Sequence, residues 1–471
     1  MPHPRVLIAP VALALATLPA CAGGFAIHEQ SAAGLGNAYA GAAATAEDAA
    51  TVYYNPAGLV RLGPQWQLGA SYIDLSARFK TEASETWLVD RASGRIGTEA
   101  PGGLPIGAPL SVGGSDGGQG GRGGVAPQFF HVQPLNEQLS FGFGLYAPFG
   151  AETRFSPDWA GRYSAIDTEM AALALNPALA IKLNQHWALG LGLDAIRVNA
   201  KVTKALDFHY EAMIGAGLTG TAVPVLDGLA TLRGDGWGFG ADAGLHYQNA
   251  QGLKFGITVR SAVTPKLKGS YRVEIPTLYS QLAAGLGMSL ESETQHARAD
   301  FKLPWSLGVA LDAPLAPGWS LQADWLHRGW SRFDELRARV DNTPDQVQVQ
   351  RWRDTHRLAL GLTRVESEQW RWRVGVAFDQ SPVRSATWRS PGTPDSDRVW
   401  LAAGLGWNHD RRGRLDLGLA WGKMKDAPVD YTDTAYNRAD YPFFAAEQQF
   451  RVRGRFDTTI YALSVQYRRW F

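Results

Sequence analysis

Trp187-Ala-Leu-Gly-Leu-Gly-Leu-Asp194 decides the fold, because large apolar residues alternate in this stretch with small or polar ones. Successive side chains of a β-strand point to opposite faces, so one face carries Trp and Leu and the other carries Ala, Gly and Asp. The same alternation recurs at 237–248, 305–312, 415–421 and 461–471. An apolar face opposite a small, polar one is typical of a transmembrane β-barrel with a polar lumen. A water-soluble β-sandwich would also alternate, with its apolar face turned inward.

The lengths of the connections distinguish these two folds. We count about 14 candidate strands, which start near residues 66, 125, 138, 169, 186, 235, 252, 298, 318, 353, 370, 398, 413 and 457. Tight turns lie at 134–137, 184–186, 249–252, 314–318, 366–369 and 408–413. Long connections lie between them, at 81–124, 150–168, 205–234, 275–297, 342–352, 381–397 and 425–456. Short turns at one end, long loops at the other and an even strand number favour an outer-membrane barrel.

Aromatic residues stand beside the tight turns and at the end of the chain. They are Trp187, Tyr247, Trp319, Trp370, Trp407, Trp470 and Phe471. Such residues sit at membrane–water interfaces, so they predict a girdle on the short-turn side.

Residues 1–22 read as a cleaved signal peptide. Arg5 precedes an apolar run at 6–18, and Ala20 and Ala22 fit a small-residue cleavage site. Residues 18–21, Leu-Pro-Ala-Cys, also resemble a lipoprotein box, although proline is awkward there. Cleavage after Ala22 would remove Cys21, the single cysteine, which suits export through an oxidising periplasm.

Composition disfavours several other classes of protein. The formal net charge of +1 makes nucleic acid an unexpected partner. No apolar run after the leader reaches the roughly 18 residues of a membrane helix, so a membrane location requires a closed barrel. Gly113-Gly-Ser115-Asp-Gly117 matches the G-x-S-x-G motif of hydrolases, but its glycine-rich surroundings lack a strand–turn–helix. We therefore expect no enzyme activity, no cofactor and no metal site.

The stretch before the first alternating segment has a different character. Residues 23–63 are small, rich in Ala and Gly, and show no alternation. The sequence therefore predicts three parts: a signal peptide at 1–22, a hatch that plugs the lumen at 23–63, and a transmembrane barrel with long extracellular loops at 64–471.

An ordered set of short motifs then resembles one family. The motifs are Gly34-Leu-Gly-Asn-Ala-Tyr-Ala-Gly41, Asn55-Pro-Ala57, Tyr146-Ala-Pro-Phe-Gly150, Gly234-Asp-Gly-Trp-Gly-Phe-Gly240, Trp330-Ser-Arg-Phe333, Phe378-Asp-Gln-Ser-Pro382 and Pro394-Asp-Ser-Asp-Arg398. Together they resemble the FadL/TodX-type (OmpP1) transporters of the outer membrane. The resemblance implies a 14-stranded barrel with an N-terminal hatch. It also implies passive uptake of long-chain fatty acids or similar hydrophobic compounds, by a monomer that contacts outer-membrane lipid.

The resemblance also implies a route through the protein. Ligand would bind outside, enter an inner pocket, displace the hatch and leave sideways through a kink in the third strand. The moving tip would be Phe25, and Asn55, Pro56 and Ala57 would form a latch, or simply a turn. The kink would lie at Pro148, Phe149 and Gly150, because proline lacks a ladder donor and glycine tolerates irregular backbone. Alternatively, these residues only begin the outer loop.

A ligand carboxylate would need a cation in the inner pocket. The positions that match the family's basic residues are Lys204 and Arg337. Lys204 shares the parity of Gly190 and Asp194, so it can face the lumen. Arg337 has the opposite, lipid-facing parity and points inward only if a bulge shifts the register. Both residues could instead be solvated charges on the rim.

Helix-spaced apolar residues in two long loops predict an external apolar groove, since exposed apolar patches usually bind something. The groove candidates are Leu206, Tyr210, Met213, Ile214, Leu278, Leu282 and Leu286. Two such helices could equally pack on each other over the barrel mouth.

Three other functions stay open at this point. An aromatic-hydrocarbon transporter of the same family is the nearest alternative, followed by a general hydrophilic porin and an outer-membrane lipase. The plug argues against the porin, because an open channel needs no such insert.

Overall fold

A computed structural model describes residues 23–90, 109–208, 226–285, 291–436 and 446–471. The strands are β1 (Gln65–Asp90), β2 (Leu110–Ser111), β3 (Gly117–Gln119), β4 (Gly124–Pro134), β5 (Leu139–Tyr146), β6 (Gly150–Arg154), β7 (Asp167–Lys182), β8 (Trp187–Asp207), β9 (Asp227–Gln248), β10 (Lys254–Arg260), β11 (Lys266–Glu274), β12 (Glu293–Asp300), β13 (Ser306–Ala316), β14 (Trp319–Arg328), β15 (Glu335–Val340), β16 (Gln346–Val349), β17 (Thr355–Val365), β18 (Trp370–Asp379), β19 (Arg398–Asn408), β20 (Gly413–Met424), β21 (Ala427–Tyr436) and β22 (Ala446–Trp470).

The helices are short. The α-helices are α1 (Ala32–Gly36), α2 (Ala42–Thr45), α3 (Thr51–Tyr54) and α4 (Thr277–Gly285), and the 3-10 helices are η1 (Pro56–Arg61), η2 (Trp330–Arg332) and η3 (Ala386–Trp388). Among the described residues, no helix combines the length and the apolar character that crossing a membrane would require.

The strands close into a 14-stranded antiparallel barrel, which confirms the predicted fold class. The hydrogen-bonded order is β1–β4–β5–β7–β8–β9–β10–β13–β14–β17–β18–β19–β20–β22, and β22 pairs back with β1. The remaining strands of the described chain extend or flank this ring at its long-loop end. β11 continues the path of β10, for example, and pairs with β9 and β12.

The apolar faces of the strands point outward, as the alternation predicts. Leu193 and Phe239 are 64% and 74% exposed, whereas the neighbouring Asp194 is buried on the inner face. Aromatic residues of the short-turn end pack against each other, as in the pairs Trp187–Tyr247 and Trp370–Trp407. The ring therefore carries an apolar belt toward the lipid.

The wall is taller than the sequence predicts. Strands were expected to start near 235 and 457, but β9 begins at Asp227 and β22 at Ala446. β1 also continues to Asp90, through what was expected to be a loop. Above the apolar belt the outward side chains are polar, and apolar ones such as Phe79, Val452 and Phe456 point inward. The lipid-facing signal therefore stops while the backbone ladder goes on. The strand expected near 298 is likewise two pieces, β12 and β13, because β12 leaves the ring to pair with β11 and β15.

Residues 23–63 pack against the inner face of the ring and are mostly buried. We call this stretch the N-terminal segment. Helix α1 contacts β18–β20 and β22, α2 contacts β9, β10 and β13, and η1 contacts β5 and β7–β9. The segment therefore spans the lumen from wall to wall.

Candidate functional site

Phe25 lies at the centre of a cluster of aromatic rings inside the barrel. Its side chain is buried, and its ring centroid is 4.7 Å from that of Trp330. The other rings of this aromatic cluster are Phe149, Phe301, Phe333 and Trp352, at 5.3 to 6.2 Å. These contacts are apolar, so they hold Phe25 without an ion pair or a side-chain hydrogen bond.

The backbone beside Phe25 pairs with an interrupted strand of the ring. β5 ends at Tyr146, and the chain resumes as β6 at Gly150. Across this break, Ile27 donates its N–H to the Pro148 carbonyl at 2.8 Å. Gly150 donates to the Phe25 carbonyl at 2.9 Å. Ala26 and Phe149 therefore face each other as an antiparallel bridge.

The break leaves a gap in the ring. β5 pairs with both β4 and β7, but the pairing with β4 stops at the rung Gln128↔Tyr146. Beyond it, β6 pairs with β7, while Gly124 to Pro127 of β4 pair with β1. Within the described chain, β4 and β6 share no ladder. The ring is therefore unpaired between β4 and β6 beside Phe25, until Arg154 donates to the Gly120 carbonyl and Gly121 bridges Thr153.

Two cavities lie on the long-loop side of Phe25. The inner cavity, of about 80 Å³, has a mainly apolar surface and includes Phe25 itself. Lys201, Arg233, Lys268 and Arg298 also border it. The outer cavity, of about 250 Å³, is lined by Lys204, Tyr271 and Asp433 among others. Both are bounded by Val202, Leu232 and Leu336. The two cavities are therefore adjacent, a polar outer one and a mainly apolar inner one that borders Phe25.

The two predicted carboxylate ligands lie in different environments. Lys204 faces the outer cavity, and its ammonium is 3.4 Å from the Asp433 carboxylate. Arg337 does not line the cavity and keeps the outward parity that the sequence gives it. The chain does break at η2, but Leu336 and Ala338 keep the inward positions after it. Arg337 instead pairs with Glu335 at 2.7 Å and Asp345 at 3.0 Å, on the other face of β15.

The predicted external groove lies largely outside the described residues. This applies to Tyr210, Met213, Ile214 and Leu286, and to the side chain of Leu282. Leu206 was expected in a loop helix, but it lies in β8 opposite Gly228, because pairing with β9 extends the strand. It is buried beside Phe208 and Tyr271, while Leu278 on α4 is 41% exposed.

A buried ionic cluster ties the middle of the N-terminal segment to the wall. The Glu47 carboxylate accepts hydrogen bonds from Arg371, at 2.5 Å, and from Arg373. Arg414 lies 3.4 Å away, and Arg468 donates to the Glu47 backbone carbonyl. Burial would raise the pKa of Glu47, but the arginine charges hold it well below its usual value. Glu47 is therefore ionised, and this Glu47 cluster anchors the segment near the short-turn end.

This cluster was not predicted from the sequence, although the sequence contains a signal for it. The arginines at 371, 373, 414 and 468 all occupy inward-facing positions beside short turns. Buried arginines need acidic partners, and the adjacent acids in residues 23–63 are Glu47 and Asp48. Asp48 accepts a 2.7 Å hydrogen bond from Ser31, which links the cluster to α1.

Asn55 joins two parts of the N-terminal segment to the wall. Its side-chain amide donates to the Ala43 carbonyl at 2.7 Å and to the Leu245 carbonyl of β9 at 3.1 Å. Its side-chain oxygen accepts the Ala57 N–H at 3.1 Å, which caps η1 beside Pro56. The latch role of these residues stays a prediction.

The close approach of this turn explains why position 190 is glycine. The alternation alone would assign Gly190 to the polar lumen. A Cβ on Gly190 would lie 2.2 Å from the Ala57 backbone nitrogen. We expect Gly190→Val to destabilise the docked segment by about 1–3 kcal/mol, the usual cost of overpacking. The measurement is the rate of protease cleavage within residues 42–60. It is made on protein whose barrel is folded and competent to refold. Gly308→Val is the control, because a Cβ there meets only a Thr258 methyl at 3.0 Å and Leu326 at 3.7 Å. Equal cleavage of both variants would contradict this account.

Glu29 gives the N-terminal segment a pH dependence. Burial raises the pKa of its carboxyl to about 7, against the opposing charges of Arg357 and Arg328. The neighbouring His28 is held neutral, since burial lowers its pKa. A folded pKa above the unfolded value favours the protonated carboxyl, so docking should weaken as pH rises from about 4.5 to about 7.

We expect the amides of residues 27–31 to lose protection from hydrogen exchange between pH 5 and pH 8, after correction for intrinsic rates. The change should correspond to roughly 2–3 kcal/mol, since one pKa unit is worth about 1.4 kcal/mol. Glu29→Gln should remove the dependence. A wild-type protection that stays flat or grows with pH would refute this assignment.

Comparison with known proteins identifies the family. The chain matches the family model described as outer membrane protein transport protein (OMPP1/FadL/TodX) over residues 13–471. It is 30% identical over 440 residues to the long-chain fatty acid transport protein of Escherichia coli O6:H1, covering 90% of this chain and 91% of that protein.

Solved structures share the fold. A Pseudomonas aeruginosa FadL homologue superposes with a TM-score of 0.79 at 24% identity, covering 95% of this chain and 99% of that one. The Ralstonia pickettii toluene transporter TbuX does so with a TM-score of 0.57 at 14% identity, covering 90% and 94%. The chain therefore belongs to the OMPP1/FadL/TodX family of outer membrane transport proteins.

Proposed function

We propose that this protein carries long-chain fatty acids, or similar hydrophobic compounds, passively across the outer membrane of a Gram-negative bacterium. Ligand binds outside, enters the cavities and leaves sideways into the bilayer. The observation that supports the route is the position of Phe25, which ends the apolar cavity while its backbone pairs across the break in the third ring strand. Phe25 therefore borders both the inner cavity and the break in the third ring strand.

Residues 23–63 act in this scheme as a hatch, and residues 64–471 act as the barrel. The inner cavity, of about 80 Å³, gains the space for an acyl chain when Phe25 moves. Lys204 then binds the carboxylate in exchange for Asp433. An apolar path matters because each methylene kept out of water is worth about 0.8 kcal/mol. Lateral exit delivers the chain directly to lipid.

The two ends of the hatch are held by different forces. Phe25 is held by apolar ring contacts and two backbone hydrogen bonds, all next to the chamber. The Glu47 carboxylate binds the middle of the segment to two barrel strands through charge, by Arg371 and Arg373 of β18 and Arg414 of β20. An entering acyl chain can replace ring contacts but not buried ion pairs. The tip is therefore the part that moves.

Deleting Gly24 to Glu29 tests the proposal. We expect the barrel to stay folded, as judged by heat-modifiable gel mobility, and uptake of labelled oleate by cells to fall severalfold. Without Phe25 the inner cavity loses its floor, so ligand is not held beside the gap. Phe25→Leu keeps an apolar side chain there and should retain most uptake. Normal uptake by the deletion variant would exclude a moving hatch.

Two further measurements separate the alternatives. Competition between oleate and toluene for the purified protein should favour oleate, and the reverse order would assign the chain to aromatic hydrocarbons. Steady, large ion currents in planar bilayers would support a porin instead. Ester hydrolysis that one serine substitution abolishes would support a lipase.

A further inference from the structure

The outer face of the barrel carries a cluster of cations just beyond the apolar belt. It consists of Lys201 on β8, Arg233 on β9, Lys268 on β11, Arg298 on β12 and Arg339 on β15, and we call it the basic wall. These strands lead into the long loops, so the basic wall lies on the extracellular side. All five residues occupy the outward positions of their strands.

Strand register sets like charges opposite each other in this wall. Lys201 pairs with Arg233 across β8 and β9. Lys268 pairs with Arg298, and Arg298 pairs with Arg339 on its other side. Like charges directly opposite one another destabilise a sheet. These rungs leave positive charge that favours an anion. They are not continuous, because between β9 and β11 the register sets Arg233 opposite Ser270 and Lys268 opposite Asp235.

Neighbouring acids neutralise the wall only in part, since the central Asp235 lies opposite Lys268 but pairs with Arg197 at 2.8 Å. Lys201 is paired with Asp167 and Glu169, and Arg339 lies 3.5 Å from Asp300. Within the described chain, the side chains of Arg233, Lys268 and Arg298 make no ion pair or hydrogen bond, and all three are exposed. The centre of the wall thus holds three exposed cations that have no ion pair of their own among the described residues.

The patch is continuous with the lipid-facing surface. On β9, Arg233 lies four residues from Trp237 and six from Phe239, and both aromatics are exposed. At about 3.3 Å per residue, the Cα atom of Arg233 lies roughly 13 Å along the strand from that of Trp237. Arg197 stacks its guanidinium on Trp237 at 5.8 Å, which marks the edge of the belt. This is the depth at which the headgroups of outer-leaflet lipids lie.

We infer that the basic wall binds the phosphate groups of phosphorylated lipids in the outer leaflet. Each phosphate carries negative charge and several acceptor oxygens, which match the guanidiniums of Arg233 and Arg298 and the ammonium of Lys268. The belt receives the acyl chains of the same lipid. The wall thereby holds an ordered lipid against β8–β12, next to the strands that line the ligand cavities.

The test uses the full-length protein in nanodiscs that contain either bis-phosphorylated lipid A or its dephosphorylated form. Native mass spectrometry after detergent extraction counts the lipid that each protein retains. Wild-type protein should retain the phosphorylated lipid at least tenfold better, because several cations near an anionic surface add their attraction. The variant Arg233→Gln/Lys268→Gln/Arg298→Gln should lose that preference.

Arg78→Gln/Lys80→Gln/Arg453→Gln is the matched control, since it removes three exposed cations from the outward face of β1 and β22. It should keep the preference, and all three proteins should show the same heat-modifiable mobility. Equal loss in both variants would overturn the proposal in favour of a general charge effect. If the basic-wall variant keeps the preference for phosphorylated lipid, the proposal is overturned outright. Stabilisation by inorganic phosphate alone, with no lipid preference, would show a site for the free ion instead.

Discussion

Glu47→Gln is expected to release the N-terminal segment from the wall while the barrel stays folded. The substitution removes the carboxylate that faces Arg371, Arg373 and Arg414, and leaves Asp416 as the remaining acid beside Arg373. Taking away one partner of a buried charge network costs about 3–5 kcal/mol, because the other charges stay buried without compensation. Glu47 is 21% exposed, so we expect the lower end of that range.

A loss of about 3 kcal/mol corresponds to a roughly hundredfold increase in the open population of the segment, since each 1.4 kcal/mol is tenfold. The measurement is hydrogen exchange of the amides at 42–54 in the detergent-solubilised protein. The control is Glu335→Gln, which removes a partner from the exposed pair with Arg337. Exposed pairs contribute about 0–1 kcal/mol, so the control should match the wild type. Unchanged protection in Glu47→Gln would show that the cluster does not anchor the segment.

The sequence predicts the barrel well, because a period of two with one lipid-facing side is a direct consequence of the environment. Leu191 and Leu193 are exposed for that reason, and the 14-stranded ring follows from the alternation and the short turns. The prediction of strands from alternation covers only the part of each strand that faces lipid. The upper parts of β1 and β22 have no lipid-facing apolar side, since residues such as Phe79 and Phe450 point inward, yet rungs such as Glu85↔Arg451 continue the ladder.

The interior is harder to predict because its residues are determined by contacts with partners that are distant in the sequence. Gly190 reads as a polar-lumen residue, but it is small because Ala57 approaches it. The direction of the Arg337 side chain depends on whether the break at η2 shifts the strand parity. Only the structure shows that the parity is kept. Glu47 gives no local signal at all until the arginines of three strands converge on it.

The contact between the tip and the third ring strand offers the most direct control over the proposed movement. Ala26 and Phe149 form an antiparallel bridge whose flanking hydrogen bonds run from Gly150 to Phe25 and from Ile27 to Pro148. That pattern makes them a non-hydrogen-bonded pair, in which the Cα atoms lie about 4.5 Å apart. A disulfide needs about 4.4–6.8 Å. Cys21 is the single natural cysteine, so it is the one natural thiol that could compete with an engineered pair.

Uptake of labelled oleate by cells that carry Ala26→Cys/Phe149→Cys, before and after reduction, tests the central claim. The oxidised protein should take up oleate at the background rate of cells without the protein, because Phe25 cannot leave the gap. Reduction should restore uptake to the level of the single Phe149→Cys variant. Mass spectrometry confirms the disulfide in the same samples. Equal uptake by the fully oxidised and the reduced protein would contradict the account, because ligand would then cross without any movement of the tip.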